Sequence, residues 1–337
     1  MSILSWAVGE EIEFSFRDTG VVTDNTAGTY RSTYTRGSLH VQGTTPAGTG
    51  KLADGIPLAS PVTSCWLSGQ WYANNVSSQS PSFGMGNSSN TLGGFFIGPT
   101  SATANKLALY TIDTTGTITK VASETGTSLV GGALTRVDIQ VTTWNNASTN
   151  IKVYLAGNST AAINWTGSTT GIFTNLDCFR YMSNGTNNHD WVSEIIIADE
   201  DTRAFVGVAT LVPNGAGTVN TFDTGAYTDN DELVLDDSDM LQSATAAQEF
   251  ECNLSNLPAG NFKIRGVKIT ARASKGATGP GTLKLGIDSG GTDNTVDQTL
   301  TTSLASYERV MPTNPVTSAA WTSTEVNALQ ADLVSAT

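Results

Sequence analysis

Several residue types are scarce in this 337-residue chain, and each scarcity excludes a class of protein. Only 17 residues are lysine or arginine against 30 acidic ones, and the net charge of −13 argues against binding to a nucleic-acid backbone, which requires clustered positive charge. Three cysteines and two histidines, far apart in the sequence, provide neither a disulfide framework nor the ligand spacing of a zinc site. Because no apolar run reaches about 18 residues, the sequence predicts no membrane-spanning helix.

Threonine, serine and glycine are abundant instead, with 50, 32 and 34 copies. Threonine favours strands, whereas serine and glycine favour turns, so the composition predicts an all-β protein. Apolar and polar residues alternate at 137–141 and again at 151–155, which predicts an antiparallel hairpin. Residues 107–112 and 117–121, separated by a turn-forming Asp-Thr-Thr-Gly segment, predict a second hairpin.

The distribution of tryptophan divides the chain into two predicted domains. Six of the seven tryptophans precede residue 200, and a polar segment rich in turn formers follows them. We expect a β-sandwich at about 1–205 and a smaller β-sandwich-like domain at 206–337.

One segment of the second domain has the pattern of a helix. Thr322 and Glu325 have the spacing of a capping box, which satisfies the first backbone amides of a helix. An apolar stripe follows at Val326, Leu329 and Leu333. These features predict one short helix at about 322–335.

Complete catalytic signatures are missing from the sequence. The phosphate-binding loop and the G-x-S-x-G elbow both fail at specific positions. Glycoside hydrolysis requires only two facing carboxylates, and Glu11 with Glu13, and Asp199 with Asp201, have the spacing that places both on one face of a strand. Both pairs lie at the ends of apolar runs, which favours solvated strand ends. The sequence therefore predicts a protein that is not an enzyme.

Aromatic residues in loops suggest a glycan-binding surface, because an indole ring can stack on the apolar face of a sugar. Trp144 lies at a predicted strand end just before Asn145, and Trp165 lies in the segment that follows the hairpin. We predict glycan contacts by Trp144, Asn145 and Trp165. Core packing is the alternative for both tryptophans, as for most tryptophans in a sandwich.

An acidic segment of the second domain offers oxygen ligands for calcium. Asp229, Asp231, Asp236 and Asp237 are the candidate ligands, and the sequence predicts no other cofactor. The position that is glycine in an EF-hand loop is Val234 here, which favours a solvated acidic face over a calcium site.

A basic segment follows in the same domain and contains no acid between residues 263 and 284. Lys263, Arg265, Lys268 and Arg272 are predicted to take part in assembly. Their charges could neutralise the acidic segment either within the domain or across a contact between subunits.

Two stretches of the first domain resemble a known family of jelly rolls. Ile-Lys-Val-Tyr-Leu-Ala-Gly at 151–157 and Trp-Val-Ser-Glu-Ile-Ile-Ile-Ala-Asp-Glu-Asp-Thr-Arg at 191–203 are similar to the closing strands of concanavalin A-like (laminin-G-like) domains in virion structural proteins of tailed bacteriophages. In the second domain, Asp236-Asp237, residues 267–273 and Trp321-Thr322 resemble the companion module of those proteins. The resemblance implies a two-layer sandwich on the exterior of the particle and supplies no catalytic residue.

These observations together predict a structural component of a bacteriophage particle, an exterior appendage or decoration protein on head or tail. The expected partners are further copies in a symmetric homo-oligomer, other phage head or tail proteins and host-surface polysaccharide, with neither nucleic acid nor membrane insertion. Since no positive charge precedes Arg17, we expect synthesis in the host cytoplasm without a signal peptide. The alternative is a tail fibre or spike that recognises a receptor and binds or degrades polysaccharide.

Overall fold

The computed structural model describes residues 3–7, 14–17, 21–24, 38–42, 51–73, 81–100, 106–124, 133–183, 189–203, 208–231, 237–260 and 263–337. The chain divides into two compact units, Met1–Val208 and Ala209–Thr337. The boundary expected from the sequence, between residues 205 and 206, lies outside the described residues. No helix among the described residues is long and apolar enough to cross a membrane.

The larger sheet of the first unit contains eight strands. They are β1 (Ile3–Ala7), β3 (Val21–Asp24), β4 (Ser38–Gln42), β6 (Cys65–Ala73), β11 (Leu134–Thr142), β12 (Thr149–Leu155), β13 (Ile163–Gly167) and β15 (His189–Ala198). Their order is β13-β12-β11-β6-β15-β4-β3, and β1 also pairs with β15. The predicted hairpin at 137–155 is confirmed, because β11 and β12 pair in an unbroken antiparallel register from Val137 opposite Leu155 to Thr142 opposite Asn150.

The second sheet of this unit contains seven strands in the order β10-β9-β8-β7-β14-β5-β2. They are β2 (Phe14–Arg17), β5 (Lys51–Gly55), β7 (Phe83–Asn87), β8 (Asn90–Pro99), β9 (Leu107–Ile112), β10 (Ile118–Ser123) and β14 (Cys178–Ser183). The second predicted hairpin is confirmed here, since β9 and β10 pair on either side of the turn at Asp113.

The core of the first unit lies between these two sheets. Leu67, Ile139 and Val153 of the larger sheet share one buried cluster with Phe95 and Leu109 of the second sheet. All five are fully buried, as expected for the inward positions of strands with period two. The first unit is therefore a jelly-roll β-sandwich, as the sequence predicted.

Two buried aspartates of the first unit, Asp54 and Asp138, are paired with arginines. Arg180 on β14 is fully buried and donates from Nε and Nη2 to the two carboxylate oxygens of Asp54 on β5, both at 2.6 Å. Asp138 on β11 is also fully buried and accepts from Arg136 and from the Thr202 hydroxyl. The cost of burying each charge is offset by charge-assisted hydrogen bonds.

The second unit contains a five-stranded sheet and a two-stranded hairpin. The sheet has the order β16-β17-β22-β19-β20, with β16 at Pro213–Asn220, β17 at Glu249–Leu254, β19 at Thr282–Asp288, β20 at Asp293–Thr299 and β22 at Gln330–Ala336. The hairpin joins β18 (Val267–Ala273) to β21 (Ala305–Met311), and a 3-10 turn covers Tyr227–Asp229. A separate apolar cluster of Ile287, Met311, Trp321, Val326 and Leu329 forms the core of this unit.

The predicted helix at 322–335 is mostly wrong. The capping box forms as expected, with Glu325 N–H donating to Thr322 Oγ1 and Thr322 N–H donating to the Glu325 carboxylate, but helix α1 covers only Ser323–Val326. Residues from Gln330 onward form β22, which pairs with β17 on one side and β19 on the other. Ladders on both sides satisfy the backbone of a central strand, and this tertiary gain overrides the local helical pattern.

Candidate functional site

The outer surface of β12 and β13 presents three uncharged polar side chains next to Lys152. Strand β12 turns Ile151 and Val153 into the core, so Asn150 points to the opposite side, where Asn164 and Thr166 of β13 are exposed. We call Asn150, Asn164 and Thr166 the amide face. Its position at the edge of the larger sheet follows from the period-two alternation of both strands.

Hydrogen bonds hold the amide face in a defined arrangement. Asn150 Nδ2 donates to Asn164 Oδ1 at 3.0 Å, to the Trp165 carbonyl at 2.9 Å and to Thr166 Oγ1 at 3.0 Å. The orientation of Asn150 is therefore fixed, and the amide nitrogen of Asn164 and the hydroxyl of Thr166 are left at the surface. Such neutral donors and acceptors can bind ligand hydroxyl groups without the desolvation cost of a charge.

An aromatic stack on the same sheet is covered by an arginine. The rings of Trp66 and Tyr154 are stacked at 5.7 Å, and the Arg203 guanidinium carbon lies 4.3 Å from the centre of the Tyr154 ring. Both carboxylate oxygens of Asp201 accept from Arg203, at distances of 2.5 to 3.0 Å. These hydrogen bonds lower the pKa of Asp201, which keeps it ionised and unsuited to general-acid catalysis. Asp199, the other member of that acidic pair, is exposed.

Trp144 does not provide the predicted stacking surface. It is only 2% exposed, its indole N–H donates to the Phe173 carbonyl at 3.1 Å, and its ring packs against Phe95 and Phe173. The prediction of a glycan contact by Trp144 is corrected accordingly, because its ring is part of the core.

The structure leaves Asn145 and Trp165 at partly exposed positions. Asn145 has a positive φ of 58°, its N–H donates to Thr169 Oγ1 at 2.9 Å, and its carboxamide oxygen accepts from the Gly171 N–H. Trp165 packs against the edge of the core, and its ring occupies the space beside Gly167, where a Cβ would clash. Their role in glycan binding remains a prediction. The acidic pair Glu11 and Glu13 lies outside the described residues.

The four acidic residues predicted as calcium ligands do not form a described cluster. Asp229 caps the 3-10 turn by accepting from the Ala226 N–H at 2.9 Å, and Asp231 is exposed. Asp236 lies outside the described residues, and Asp237 forms an ion pair with Arg272 at 2.9 Å.

The predicted assembly residues are partly neutralised within their own unit. Lys268 is nearly buried and lies 3.3 Å from the Glu308 carboxylate of the paired strand, while Arg272 is paired with Asp237. The pair of Arg272 with Asp237 joins the basic segment to the acidic one within the unit, which was one of the two alternatives, and a role of Lys268 and Arg272 in assembly remains a prediction. Lys263 is exposed and Arg265 is half-buried, and their role in assembly remains a prediction.

A different group of carboxylates comes together on the five-stranded sheet. Glu249, Glu251, Asp288, Asp293 and Asp332 all lie on the side of this sheet opposite Phe250, Leu285 and Ile287; we call these five residues the acid face. Sequence reasoning missed it because its members come from four strands. The only local signal was the alternation of Glu249 and Glu251 with apolar neighbours in β17.

The electrostatics of the acid face are unfavourable without a compensating charge. Burial and the nearby carboxylates Glu249 and Asp293 raise the pKa of Asp332 to about 7. Burial, with Asp288 and Asp293, also raises the pKa values of Glu249 and Glu251. Each of these shifts means that ionisation is penalised in the folded state.

Comparisons with known proteins assign no family to this chain. No protein-family model and no curated protein sequence matches the chain. Among solved structures, an endo-β-1,4-glucuronan lyase from Trichoderma reesei aligns with 59% of this chain and 96% of its own, at 14% identity and a TM-score of 0.41. The carbohydrate-binding module CBM66 from Bacillus subtilis aligns with 59% of this chain and 98% of its own, at 8% identity and a TM-score of 0.37.

A third similar structure is alginate lyase vAL-1 from a Chlorella virus, which aligns with 56% of this chain and 92% of its own, at 9% identity and a TM-score of 0.38. These likenesses concern the fold alone. They nevertheless correct one prediction: the expectation that the protein is not an enzyme is contradicted, because two of the three structures are lyases.

Proposed function

We propose that this protein binds carbohydrate through the amide face of its jelly-roll unit. The observation that carries the proposal is the fixed array of Asn150, Asn164 and Thr166 on an exposed sheet edge. Sugar hydroxyl groups both donate and accept hydrogen bonds, and amide and hydroxyl side chains match them on both counts. Orientation by Asn150 reduces the entropy lost when a ligand binds.

Neighbouring residues extend this proposed surface. Lys152 lies on the same side of β12, opposite Asn164, and would pair with the carboxylate of an acidic sugar. Asn145 and Trp165 remain proposed contacts at the margin of the surface, whereas Trp144 is not included. Acidic polysaccharides such as glucuronan and alginate, substrates of the lyases with a similar fold, are suitable first probes.

The test is a calorimetric binding experiment with a panel of neutral and acidic polysaccharides. We expect the double variant Asn164→Ala/Thr166→Ala to bind about 30-fold more weakly than the wild type, because two hydrogen bonds worth about 1 kcal/mol each are lost. Thr119→Ala is the matched control, since Thr119 is an exposed strand threonine in the other sheet. Equal affinity of the double variant and the wild type would exclude the amide face. The same mixtures, analysed for shortened chains, show whether a bound glycan is also cleaved.

We further propose that the protein acts on the exterior of a bacteriophage particle, as an appendage or decoration protein assembled as a homo-oligomer. The resemblance of residues 151–157 and 191–203 to phage jelly rolls supports this placement. A receptor-binding fibre or spike with polysaccharide-degrading activity is the alternative. Electron cryo-microscopy of purified particles, with the copy number per particle, separates the two, and absence of the chain from particles would refute both.

A further inference from the structure

The most closely spaced part of the acid face is a group of three carboxylates. Glu249, Glu251 and Asp293 each offer an oxygen, and these three oxygens all lie within 4.8 Å of one another. The Glu251 carboxylate is held in place by accepting from the Val219 N–H at 3.0 Å. Oxygens on opposite sides of a calcium ion are about 4.6–5.2 Å apart, because Ca–O distances are about 2.3–2.6 Å. The spacing of the group therefore suits calcium.

A second observation is independent of that spacing. Asp332 is fully buried, and neither of its carboxylate oxygens has a hydrogen-bond partner among the described residues. Its Cα is paired with Glu251 on one side and with Gly286 on the other, so its side chain rises on the acid face. Gly286 has no side chain, and the space that its Cβ would take is bordered by backbone atoms of Asn294 and Thr295 and by Arg309 Nη1. An ionised carboxylate that is buried without a partner is costly, and either a proton or a bound cation removes that cost.

The protein itself does not supply that charge in the described part of the chain. Lys284 shares this side of the sheet, opposite Asp297 and Val334, but no carboxylate of the acid face forms an ion pair with it. Arg309 donates to Asn294, and its Nη1 lies 2.8 Å from the Cβ position of Gly286, but it forms no ion pair with a carboxylate of the acid face. Two further cations of this unit, Lys268 and Arg272, are paired elsewhere.

The size of the missing cation follows from burial. Glu251 and Asp288 are 3% and 7% exposed, and Asp332 is fully buried, so the side chain of a partner's lysine or arginine could not reach them. Asp293 is exposed and leaves an entry for a small ion. Magnesium demands shorter distances and near-ideal octahedral geometry, which three carboxylates on β17 and β20, with two strands between them, do not favour.

We propose that the second unit binds Ca²⁺ through Glu249, Glu251 and Asp293, with Asp332 and Asp288 supplying the surrounding negative charge. The site differs from the one that the sequence suggested at 229–237. It is also independent of glycan binding, because every residue involved belongs to the second unit.

The experiment uses the full chain, freed of divalent ions and kept at constant ionic strength. Titration with CaCl₂ is followed by calorimetry, and unfolding is followed by heating with and without about 10 mM CaCl₂, a concentration chosen to saturate even a weak site. We expect the unfolding temperature of the second unit to rise by roughly 5–10 °C at a hundredfold excess over Kd. MgCl₂ should give a smaller shift.

Variants locate the ion. Asp293→Asn removes an exposed ligand and should weaken calcium binding at least about tenfold, since affinity depends on ligand charge. Asp297→Asn is the matched control: it makes the same change at an exposed position of the same strand and should alter affinity less than about twofold. Asp332→Asn should raise the unfolding temperature in metal-free buffer and reduce the response to calcium.

Three results would overturn the proposal. They are an absence of any calcium-dependent heat or shift in the wild type, unchanged binding by Asp293→Asn, and a magnesium response equal to that of calcium. If Asp293→Asn folds poorly, the Asp332→Asn variant still tests the proposal. A lower unfolding temperature of Asp332→Asn than of the wild type in metal-free buffer would show that the Asp332 charge is not unfavourable, which contradicts the proposal.

Discussion

The two units treat buried carboxylates in opposite ways. In the first unit, Asp54 accepts hydrogen bonds from Nε and Nη2 of Arg180, and Asp138 accepts from Arg136 and Thr202. In the second unit, Asp332 is as deeply buried as Asp138, yet it faces other carboxylates. The first unit thus contains the counter-charges for these two carboxylates in its own sequence, whereas the acid face depends on a charge from outside. A buried acid without a partner is therefore better evidence for a ligand than the number of acids nearby.

The largest expected effect on this difference between the units comes from removing the guanidinium of Arg180 in the first unit. Arg180→Met should lower the free energy of unfolding by about 3–5 kcal/mol, because Asp54 would then be buried without a partner. Urea denaturation measures the loss. Arg203→Met is the control, since Arg203 is partly exposed and its ion pair should be worth about 1 kcal/mol or less. A loss for Arg180→Met no larger than that of the control would mean that the buried pair contributes little.

Buried cysteines report on the stability of each unit separately, because Cys65 lies in the first unit and Cys252 in the second. Burial raises the pKa of Cys65 to about 12 in the first unit and that of Cys252 to about 11 in the second, so both should react with alkylating agents only after unfolding. Calcium at a hundredfold excess over Kd should slow labelling of Cys252 about 100-fold and leave Cys65 unaffected. Mass spectrometry of the labelled peptides measures both rates. Equal protection of the two thiols would show that calcium does not act on the second unit alone.

The smallest expected effect concerns the single helical turn of the second unit. Thr322→Ala removes the N-cap oxygen of α1 and should cost about 1 kcal/mol of stability, measured by urea denaturation. Thr324→Ala, an exposed position inside the same turn, is the matched control and should change stability by less than about 0.5 kcal/mol. If both variants behaved alike, the cap would not determine where this turn begins.

The sequence predicted those features whose signals are local. The hairpins β11–β12 and β9–β10 were found because a strand with one buried side alternates residue by residue, and the turn residues between them are adjacent in the chain. The capping box at Thr322 was found for the same reason. The extent of the helix was not, because Gln330–Ala336 becomes a strand through pairing with segments about 45 to 80 residues away.

Functional residues were harder to predict because their role depends on burial and on strand order. Nothing local distinguishes Trp144, whose ring is in the core, from a tryptophan that faces solvent. Likewise, Asp293 and Asp332 share one side of a sheet with Glu251 only through the strand order β17-β22-β19-β20 and its register. Strand order is a long-range property, and no spacing between these acids in the sequence reveals it.

The central position of β22 also affects how the second unit is made on the ribosome. Strands β17 and β19 are synthesised before β22. Each has only one of its two neighbouring strands until residues 330–336 have left the exit tunnel. Their ladder edges therefore remain open while the jelly-roll unit, synthesised before them, can already fold. This order of synthesis favours vectorial folding, with the calcium-binding half completed after its companion.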